Sequence, residues 1–179
     1  VTESSLHSTY SAWRVFDGQI TFASGQNLWI SPQNTYSSDG SATMTASDAD
    51  ATTIGGTVTP GEWIQIELPH KLKLSYISVM GPTGNGGSGT QDLARSPKDA
   101  HLVGSNDGTT WNSVLTISGV TGWALQTYKS FTVNVDSTNA YKYFRFIITK
   151  TGGTSNGVYA SIRELKFYGH KEGDLTRFP

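Results

Sequence analysis

The sequence PKDAHLVGSNDGTTWNSVLTI, from Pro97 to Ile117, decides the fold of the chain. Within it, an apolar-leaning run at 100–103 is separated from a second run at 111–117 by the turn Asn106-Asp107-Gly108. An Asp-Gly pair between two such runs is a strong short-range signal of a β-hairpin, because the turn needs residues that tolerate positive φ. The stretch therefore predicts two antiparallel strands, with Trp111 covering the turn end of a core.

Strand periodicity continues on both sides of this hairpin. Trp63 to Leu68 alternates between apolar and polar residues, as a half-buried strand does, and Pro69 is expected to end it. Leu72 to Val79 predicts the next strand, with a β-bulge near Ser75 where the alternation slips. Tyr143 to Thr149 is almost continuously apolar and suits a central strand of a sandwich.

Three segments have little periodicity: the polar start of the chain at 1–11, the stretch 31–61 and the end at 170–179. The stretch 31–61 is rich in Ser, Thr, Gly and Asp, and a segment of that length predicts hidden strands, at 43–45 and 53–58, or a functional loop. The chain opens on polar residues, as a module excised from a larger protein would. Residues 1–169 are expected to form one sandwich module, and 170–179 (HKEGDLTRFP) a linker or tail.

The composition excludes several classes of function. The chain of 179 residues has 13 basic and 14 acidic side chains without a basic cluster, so neither nucleic acid nor an anionic membrane is indicated as a partner. No apolar run approaches about 18 residues, so no membrane insertion is expected. The absence of Cys excludes disulfides, thiol catalysis and cysteine-based zinc sites. Twenty Gly with many Ser and Thr favour an all-β domain with developed loops.

No stretch proposes a catalytic centre. Gly84 to Gly89 fits the G-x-G-x-x-G pattern, but a phosphate loop requires a helix to open at its end, and Pro97 cuts such a helix short. A surface loop is therefore expected there. The four histidines are scattered and form no H-E-x-x-H motif; of these, His101 is expected on an outer or half-buried strand face. We therefore expect the chain not to be an enzyme.

Five segments resemble one known family in its own order. They are AWRVFDG from Ala12, GEWIQIELPHKLKLSYISV from Gly61, KDAHLVGSNDGTTW from Lys98, YKYFRFIITKT from Tyr141 and VYASIRELKFYG from Val158. The family is that of discoidin or coagulation factor 5/8 type C domains, which includes family 32-type carbohydrate-binding modules. The resemblance implies an all-β fold, an antiparallel β-sandwich of the jelly-roll, galactose-binding-like type with roughly eight core strands. The side chains expected to be mostly buried are Trp63, Ile64, Ile66, Leu102, Trp111, Phe144, Phe146 and Leu165.

The same resemblance implies one structural calcium ion. Asp17 matches the Asp-Gly turn that supplies a side chain and backbone carbonyls in related modules, and Glu164 matches the glutamate of the last strand. Because calcium takes six to eight oxygens, carbonyls and the side chain of Thr21 or Gln19 would complete the shell. Alternatively, Asp17 only closes a turn and Glu164 pairs with a nearby arginine.

A ligand site is expected where the loops 80–95, 119–128 and 151–159 converge at one end of the sandwich, beside part of 31–61. There Trp123 or Tyr159 would stack on a sugar ring, because an exposed ring offers rigid apolar area. The hydroxyls of the sugar would be bonded by Asn85, Asp92, Arg95 and Asn156. Galactose-binding relatives carry an arginine shortly after the strand that corresponds to residues 77–79, and this chain has no counterpart of that arginine.

Alternatively, both aromatic rings pack under their own loops. Trp63 and Trp111 are expected in the core, Trp13 and Trp29 in the core or at an edge, and Arg145 is expected to have a structural role.

The function expected from the resemblance is a non-catalytic module that recognises a cell-surface or extracellular glycan, in adhesion or as part of a virion or phage attachment protein. Its parent would be a larger multidomain or multimeric surface protein, extracellular or on a virion surface. The first alternative is a structural assembly domain of a surface or capsid protein. The second is recognition of protein or phospholipid, which loops made of Gly, Ser, Thr and Asn disfavour.

Overall fold

The computed structural model describes residues 1–20, 27–82, 93–133, 139–153 and 159–174. The strands in these ranges are β1 (Thr2–Glu3), β2 (Trp29–Ile30), β3 (Thr52–Ile54), β4 (Thr57–Thr59), β5 (Glu62–Met80), β6 (Pro97–Ser105), β7 (Asn112–Ile117), β8 (Tyr128–Thr132), β9 (Tyr141–Thr151), β10 (Ser161–Ile162) and β11 (Glu164–Lys171). Within the same described ranges lie two short 3₁₀ turns, the first 3₁₀ turn (Ala12–Phe16) and the second 3₁₀ turn (Leu93–Arg95). The structure is thus built from antiparallel strands, as the sequence predicted.

The long strand β5 organises the sheet. Its first half pairs with β1 and β9, and β6 and β7 follow β9 in the order β1-β5-β9-β6-β7. Its second half pairs with β11 on one side and β8 on the other. Apolar side chains from both halves pack into one core, which includes Ile64, Ile77 and Leu165. This arrangement confirms the antiparallel β-sandwich.

The prediction that Pro69 ends a strand is wrong, because β5 continues through it to Met80. The pairing of β5 with β9 lapses between Glu67 and Leu72, so the missing N–H of the proline removes no bond of that ladder. The bulge near Ser75 is confirmed. Tyr168 pairs with Tyr76 and the next residue of β11 pairs with Leu74, which leaves Ser75 as the extra residue.

The hairpin between β6 and β7 forms where the Asp-Gly turn predicted it. The carboxylate of Asp107 accepts hydrogen bonds from the backbone N–H groups of Thr109 and Thr110, at 2.8 and 2.7 Å. The Ser105 hydroxyl accepts from the N–H of Gly108, which has the positive φ of 76° that such a turn requires. Asp107 therefore closes the turn by satisfying backbone donors that the ladder leaves unpaired.

The stretch 31–61 contains one of its two expected elements. The region 53–58 forms the hairpin of β3 and β4, whereas the expected strand at 43–45 is absent. Ile54 of β3 packs on a second cluster of buried residues, separate from the main core: Trp63, Val103, Trp111 and Ile147. The hairpin thus covers an aromatic cluster that would otherwise face solvent.

The predicted core is confirmed in seven of its eight members, which are buried. The eighth, Ile66, is half-buried and packs against the main core. Trp29, expected in the core or at an edge, is fully buried. At the other end of the chain, β11 continues to Lys171, two residues beyond the boundary expected at 169.

Candidate functional site

The described parts of the loops 80–95, 119–128 and 151–159 meet at one end of the sandwich. The N–H of Gly152 donates to the carbonyl of Ala94 at 2.8 Å, which joins the end of β9 to the second 3₁₀ turn. The N–H of Thr151 donates to the carbonyl of Gly40 at 2.8 Å, so part of 31–61 lies beside these loops. A side chain at Gly40 would collide with the carbonyl of Thr151, and a glycine is needed for this approach.

The loop after β7 is fixed by its neighbours on β6. The carboxylate of Asp99 accepts a hydrogen bond from the N–H of Gly119 at 2.7 Å, and the N–H of Val120 donates to the carbonyl of Lys98 at 3.0 Å. Gly119 has a φ of 67°, a left-handed conformation that glycine adopts without strain. These contacts hold the loop against the first residues of β6.

A cleft of about 290 Å³ lies between this loop and the second 3₁₀ turn. Its walls are more apolar than polar, and they include Leu93, Lys98, Val120, Thr121, Trp123 and Gly152. Described residues of all three loops contribute to these walls, so the cleft is a concave feature at the loop end. A concave, largely apolar site with a few polar groups is the usual form of a small-ligand site.

Trp123 lines this cleft and is also anchored beneath its own loop. Its ring is half-buried and packs against the main core, and its indole N–H donates to the carbonyl of Pro97 at 3.1 Å. The Lys129 ammonium lies 5.6 Å from the ring centroid. The ring is therefore a fixed wall of the cleft, with part of its surface accessible.

Tyr159 lies in a separate aromatic group that adjoins the cleft through the second 3₁₀ turn. The Arg95 guanidinium lies 4.8 Å from the Tyr159 ring centroid, while Ala94 of the same turn lines the cleft. The His7 ring meets Tyr159 edge-on at 5.4 Å and stacks on Tyr10 at 6.1 Å. Sequence reasoning missed this contribution of the N-terminal segment, because the polar residues around His7 form no motif.

Three of the predicted ligand residues, Asn85, Asp92 and Asn156, lie outside the described residues. Arg95, Trp123 and Tyr159 lie within them: Arg95 of the second 3₁₀ turn contacts Tyr159, and Trp123 lines the cleft together with Leu93 and Ala94 of that turn. Trp13 departs from its expected place in the core or at an edge: it is 53% exposed, with the Arg14 guanidinium 4.9 Å from its ring centroid.

Glu164 is buried next to the turn that contains Asp17. It is 1% exposed, and its Oε1 has no hydrogen-bond partner among the described residues. Burial, followed by the charge of Asp17, raises the pKa of Glu164 to about 7, although the N–H of Gly18 donates to this carboxylate. Asp17 therefore lies near enough for its charge to act on Glu164, and among the described residues one oxygen of the Glu164 carboxylate lacks a partner.

The fit to a calcium ion depends on further oxygens. In the described part of the chain, no group of three or more His, Asp or Glu side chains is placed to hold a metal, so backbone carbonyls would have to supplement the two carboxylates. The Gln19 side-chain oxygen accepts from the Asn27 amide at 3.3 Å, and Thr21 lies outside the described residues. A cation would satisfy the unpartnered oxygen of Glu164, and the donor set is the oxygen type that calcium prefers.

Arg145 has the structural role expected of it, but in the central strand β9. Its guanidinium lies 3.7 Å from the Trp63 ring centroid and 4.4 Å from that of Trp111. The Nε and Nη2 groups donate to the Gln65 oxygen, and Nη1 donates to the Thr52 hydroxyl. Burial lowers the pKa of Arg145 to about 10, so the side chain remains charged at neutral pH. These contacts tie β3 to the sheet through one cation.

The fold and the loop-end cleft define a β-sandwich domain whose loops build a concave surface at one end. Residues 2–165 match the F5/8 type C domain family, and the chain belongs to this family. Among curated proteins, none matches the chain in sequence. In the described ranges, no helix has the length and apolar character needed to cross a membrane.

Solved structures show the same fold. A family 32 carbohydrate-binding module, CBM32-3 from a family 31 glycoside hydrolase of Clostridium perfringens, has a TM-score of 0.61 and 21% identity, over 95% of this chain and 89% of that one. Another Clostridium perfringens module, CpGH89CBM32-5, solved with GalNAc-β-1,3-galactose, has a TM-score of 0.60 and 14% identity, over 94% and 93%. The lectin domain of lectinolysin, solved with Lewis B antigen, has a TM-score of 0.60 and 12% identity, over 94% and 91%.

Proposed function

We propose that this chain is a non-catalytic module that binds a cell-surface or extracellular glycan in the loop-end cleft. The observation that supports this most is the cleft itself, in which a fixed Trp123 forms one wall at the place where three loops meet. Two of the solved relatives are complexes with sugars, which supports the ligand class. The proposal includes an extracellular setting in a larger protein; attachment of a virion or phage stays a prediction.

The chemistry of the cleft suits a sugar ring. Trp123 offers rigid apolar area to the CH face of a pyranose, and its fixed position means that little side-chain entropy is lost on binding. The Thr121 hydroxyl and the Lys98 ammonium would bond sugar hydroxyls from the other walls. Arg95, Tyr159 and the predicted polar residues of the two neighbouring loops would extend the contact beyond the cleft.

Binding through one such site is expected to be weak. A millimolar dissociation constant corresponds to about −4 kcal/mol, and one ring with a few hydrogen bonds should give little more. Useful attachment would then depend on several copies of the module acting together. The experiment must therefore present the module in an oligomerised form.

A glycan array probed with an oligomerised domain tests this proposal. We expect binding to a defined group of glycans, loss of most of it in Lys98→Ala, and no change in Lys142→Ala. Lys142 is a matched control, because it forms a surface ion pair with Glu67 at the other end of β9. A blank array at high valency would favour the structural alternative, and sedimentation with liposomes would reveal phospholipid recognition.

We also propose that Asp17 and Glu164 hold one structural calcium ion with nearby backbone carbonyls. The support is the buried Oε1 of Glu164, which has no partner among the described residues, and its closeness to the Asp17 charge. When bound, the ion would tie the turn after the first 3₁₀ turn to β11. It would stabilise the module and take no part in ligand chemistry.

A further inference from the structure

The outer face of the sheet formed by β8, the second half of β5 and β11 exposes a pair of stacked tyrosines. Tyr76 and Tyr168 are Cα partners in the ladder, and their rings lie 4.3 Å apart at an angle of 8°. They are 36% and 38% exposed, whereas Ile77 and Leu165 of the same two strands are buried in the core. Each ring uses one face for its partner, so exposed ring surface remains for another contact.

The registers of the three strands arrange the residues of this face in rows. The tyrosine row continues to Thr132 on β8, and the next row contains Ser130, Ser78 and Lys166. Rows on one face are two residues, or about 7 Å, apart. The hydroxyls of Ser78 and Ser130 lie 2.7 Å from each other. Ser78 is buried whereas Ser130 and Thr132 are exposed, so the hydroxyls that flank the tyrosines at the surface are those of Ser130 and Thr132.

Positive charge lies on both sides of the tyrosine pair. Lys166 is one row away in one direction, and its ammonium lies 4.6 Å from the Tyr128 ring centroid. In the other direction, Lys73 pairs with His170, whose ring nitrogen lies 3.4 Å from the Ser75 hydroxyl. In the described part of the chain these three rows contain no carboxylate, and the carboxyl whose charge acts on Lys166, that of Glu164, lies one row further and is buried.

We propose that this face, which we call the tyrosine face (Tyr76, Tyr168, Lys166, Lys73, Ser130 and Thr132), is a second binding surface for an acidic polysaccharide. Flat aromatic area suits the CH faces of sugar rings, and the hydroxyl row suits their polar edges. The two cations suit carboxylate or sulfate groups spaced along a chain. The surface is distinct from the loop-end cleft, and the proposal does not depend on that site.

The geometry favours an extended polymer over a single sugar. One sugar ring would cover about one row of this face, whereas a chain lying across successive rows would meet Lys166, the stacked rings and Lys73 in turn. Attraction between such charges is screened by salt, so binding should weaken as ionic strength rises. Neutral polysaccharides would lack the ionic contacts and bind much less.

Affinity electrophoresis in gels that contain polygalacturonate, heparin or neutral dextran tests the proposal. We expect the protein to be retarded by one or both acidic polymers and not by dextran, with the retardation lost at high salt. The double variant Tyr76→Thr, Tyr168→Thr and the single variant Lys166→Gln should each bind with an affinity, calculated from the retardation, that is at least tenfold lower. Threonine preserves the strand preference of these positions.

Two control variants test whether the tyrosine face itself causes the retardation. Lys71→Gln removes an equal charge, but Lys71 pairs with Glu172, so it should bind as the wild type does. Lys142→Gln also removes a surface lysine, which pairs with Glu67, and should likewise leave the retardation unchanged. If Lys71→Gln weakens binding as much as Lys166→Gln does, the retardation is caused by the overall charge and not by the tyrosine face, and the proposal fails.

A measurement on the wild-type protein covers the case in which the tyrosine variant is unstable. Titration with oligogalacturonate or a heparin oligosaccharide should shift the amide resonances of Thr132, Lys166 and Tyr168 before those of 119–123. Shifts confined to 119–123 would overturn the proposal. So would sedimentation that shows a dimer of the wild type and a monomer of the tyrosine variant, because the face would then bind a second copy.

Discussion

The indole N–H of Trp123 donates a hydrogen bond to the backbone carbonyl of Pro97, and the two atoms are 3.1 Å apart. This bond joins the loop after β7 to the first residue of β6. It fixes the ring in the orientation in which it lines the loop-end cleft. The residue proposed to contact the ligand is therefore also one that stabilises the loop, and a substitution there has two effects.

Trp123→Ala should consequently lower both stability and glycan binding. The ring is half-buried and loses its packing on the core together with one hydrogen bond, which should cost about 2 kcal/mol. For a chain of this size that corresponds to a melting temperature lower by about 4–8 °C. Thermal unfolding followed by circular dichroism measures the first effect, and array binding below the transition measures the second.

Lys98→Ala changes glycan binding without the loss of stability expected for Trp123→Ala. The Lys98 side chain is half-buried, and it is the backbone carbonyl of Lys98 that accepts the hydrogen bond from Val120. Truncation of the side chain should therefore change the free energy of unfolding by no more than about 0.5 kcal/mol. Glycan binding should nevertheless fall. A Trp123→Ala protein that melts several degrees lower and binds as before would show that the ring only supports the loop.

Removal of calcium should lower the melting temperature of the wild-type domain. A ligand present at a hundred times its dissociation constant stabilises the folded state by about 2.7 kcal/mol, so excess chelator should lower the midpoint by about 5–10 °C. Glu164→Gln and Asp17→Asn should melt at the same temperature with and without chelator. The surface variant Glu172→Gln should respond as the wild type does, and an unchanged wild-type curve with no metal in elemental analysis would contradict the site.

Much of the fold was predictable because its signals are local. The Asp-Gly hairpin depends on residues within one turn, and the bulge at Ser75 follows from a slip in the alternation of a single strand. The passage of β5 through Pro69 was not predictable in the same way. It depends on the strand beside the proline, whose pairing lapses at that place.

The candidate site was predictable only in part. The loops that line the cleft follow strand ends, and strand ends are readable from alternation. Contacts between distant residues are not readable from one sequence, and these include Arg95 over Tyr159 and the stack of Tyr76 on Tyr168. The exposure of Trp13 is a similar case, because an aromatic beside a turn fits the core pattern equally well.

Asp107→Ala should lower the melting temperature, because backbone donors of the hairpin turn lose their acceptor. The N–H groups of Thr110 and Thr109 hold the pKa of Asp107 well below its ordinary value of 3.8. A carboxyl with a lowered folded pKa contributes stability that is fully present above that ordinary value and is lost as pH falls through the lower one.

The difference between wild type and Asp107→Ala should therefore be constant from pH 5 to 8 and decrease in stronger acid. Melting curves across this range measure it, and Asp107→Asn, which keeps one side-chain oxygen as an acceptor, should lie between the two proteins. A difference that already disappears at pH 5 would contradict this role of the Asp107 carboxylate.

Arg145→Lys should destabilise the domain almost as much as Arg145→Ala. The guanidinium lies between two indoles while it donates in fixed directions to Gln65 and Thr52, and an ammonium group reproduces neither the stacking nor the fork of donors. Loss of stacking and of hydrogen bonds to a charged group should cost about 3 kcal/mol in either variant. Because Thr52 belongs to β3, hydrogen exchange of the β3–β4 hairpin should increase in both variants. Denaturant unfolding gives the energy, and a Lys variant as stable as the wild type would show that charge alone is required between the indoles.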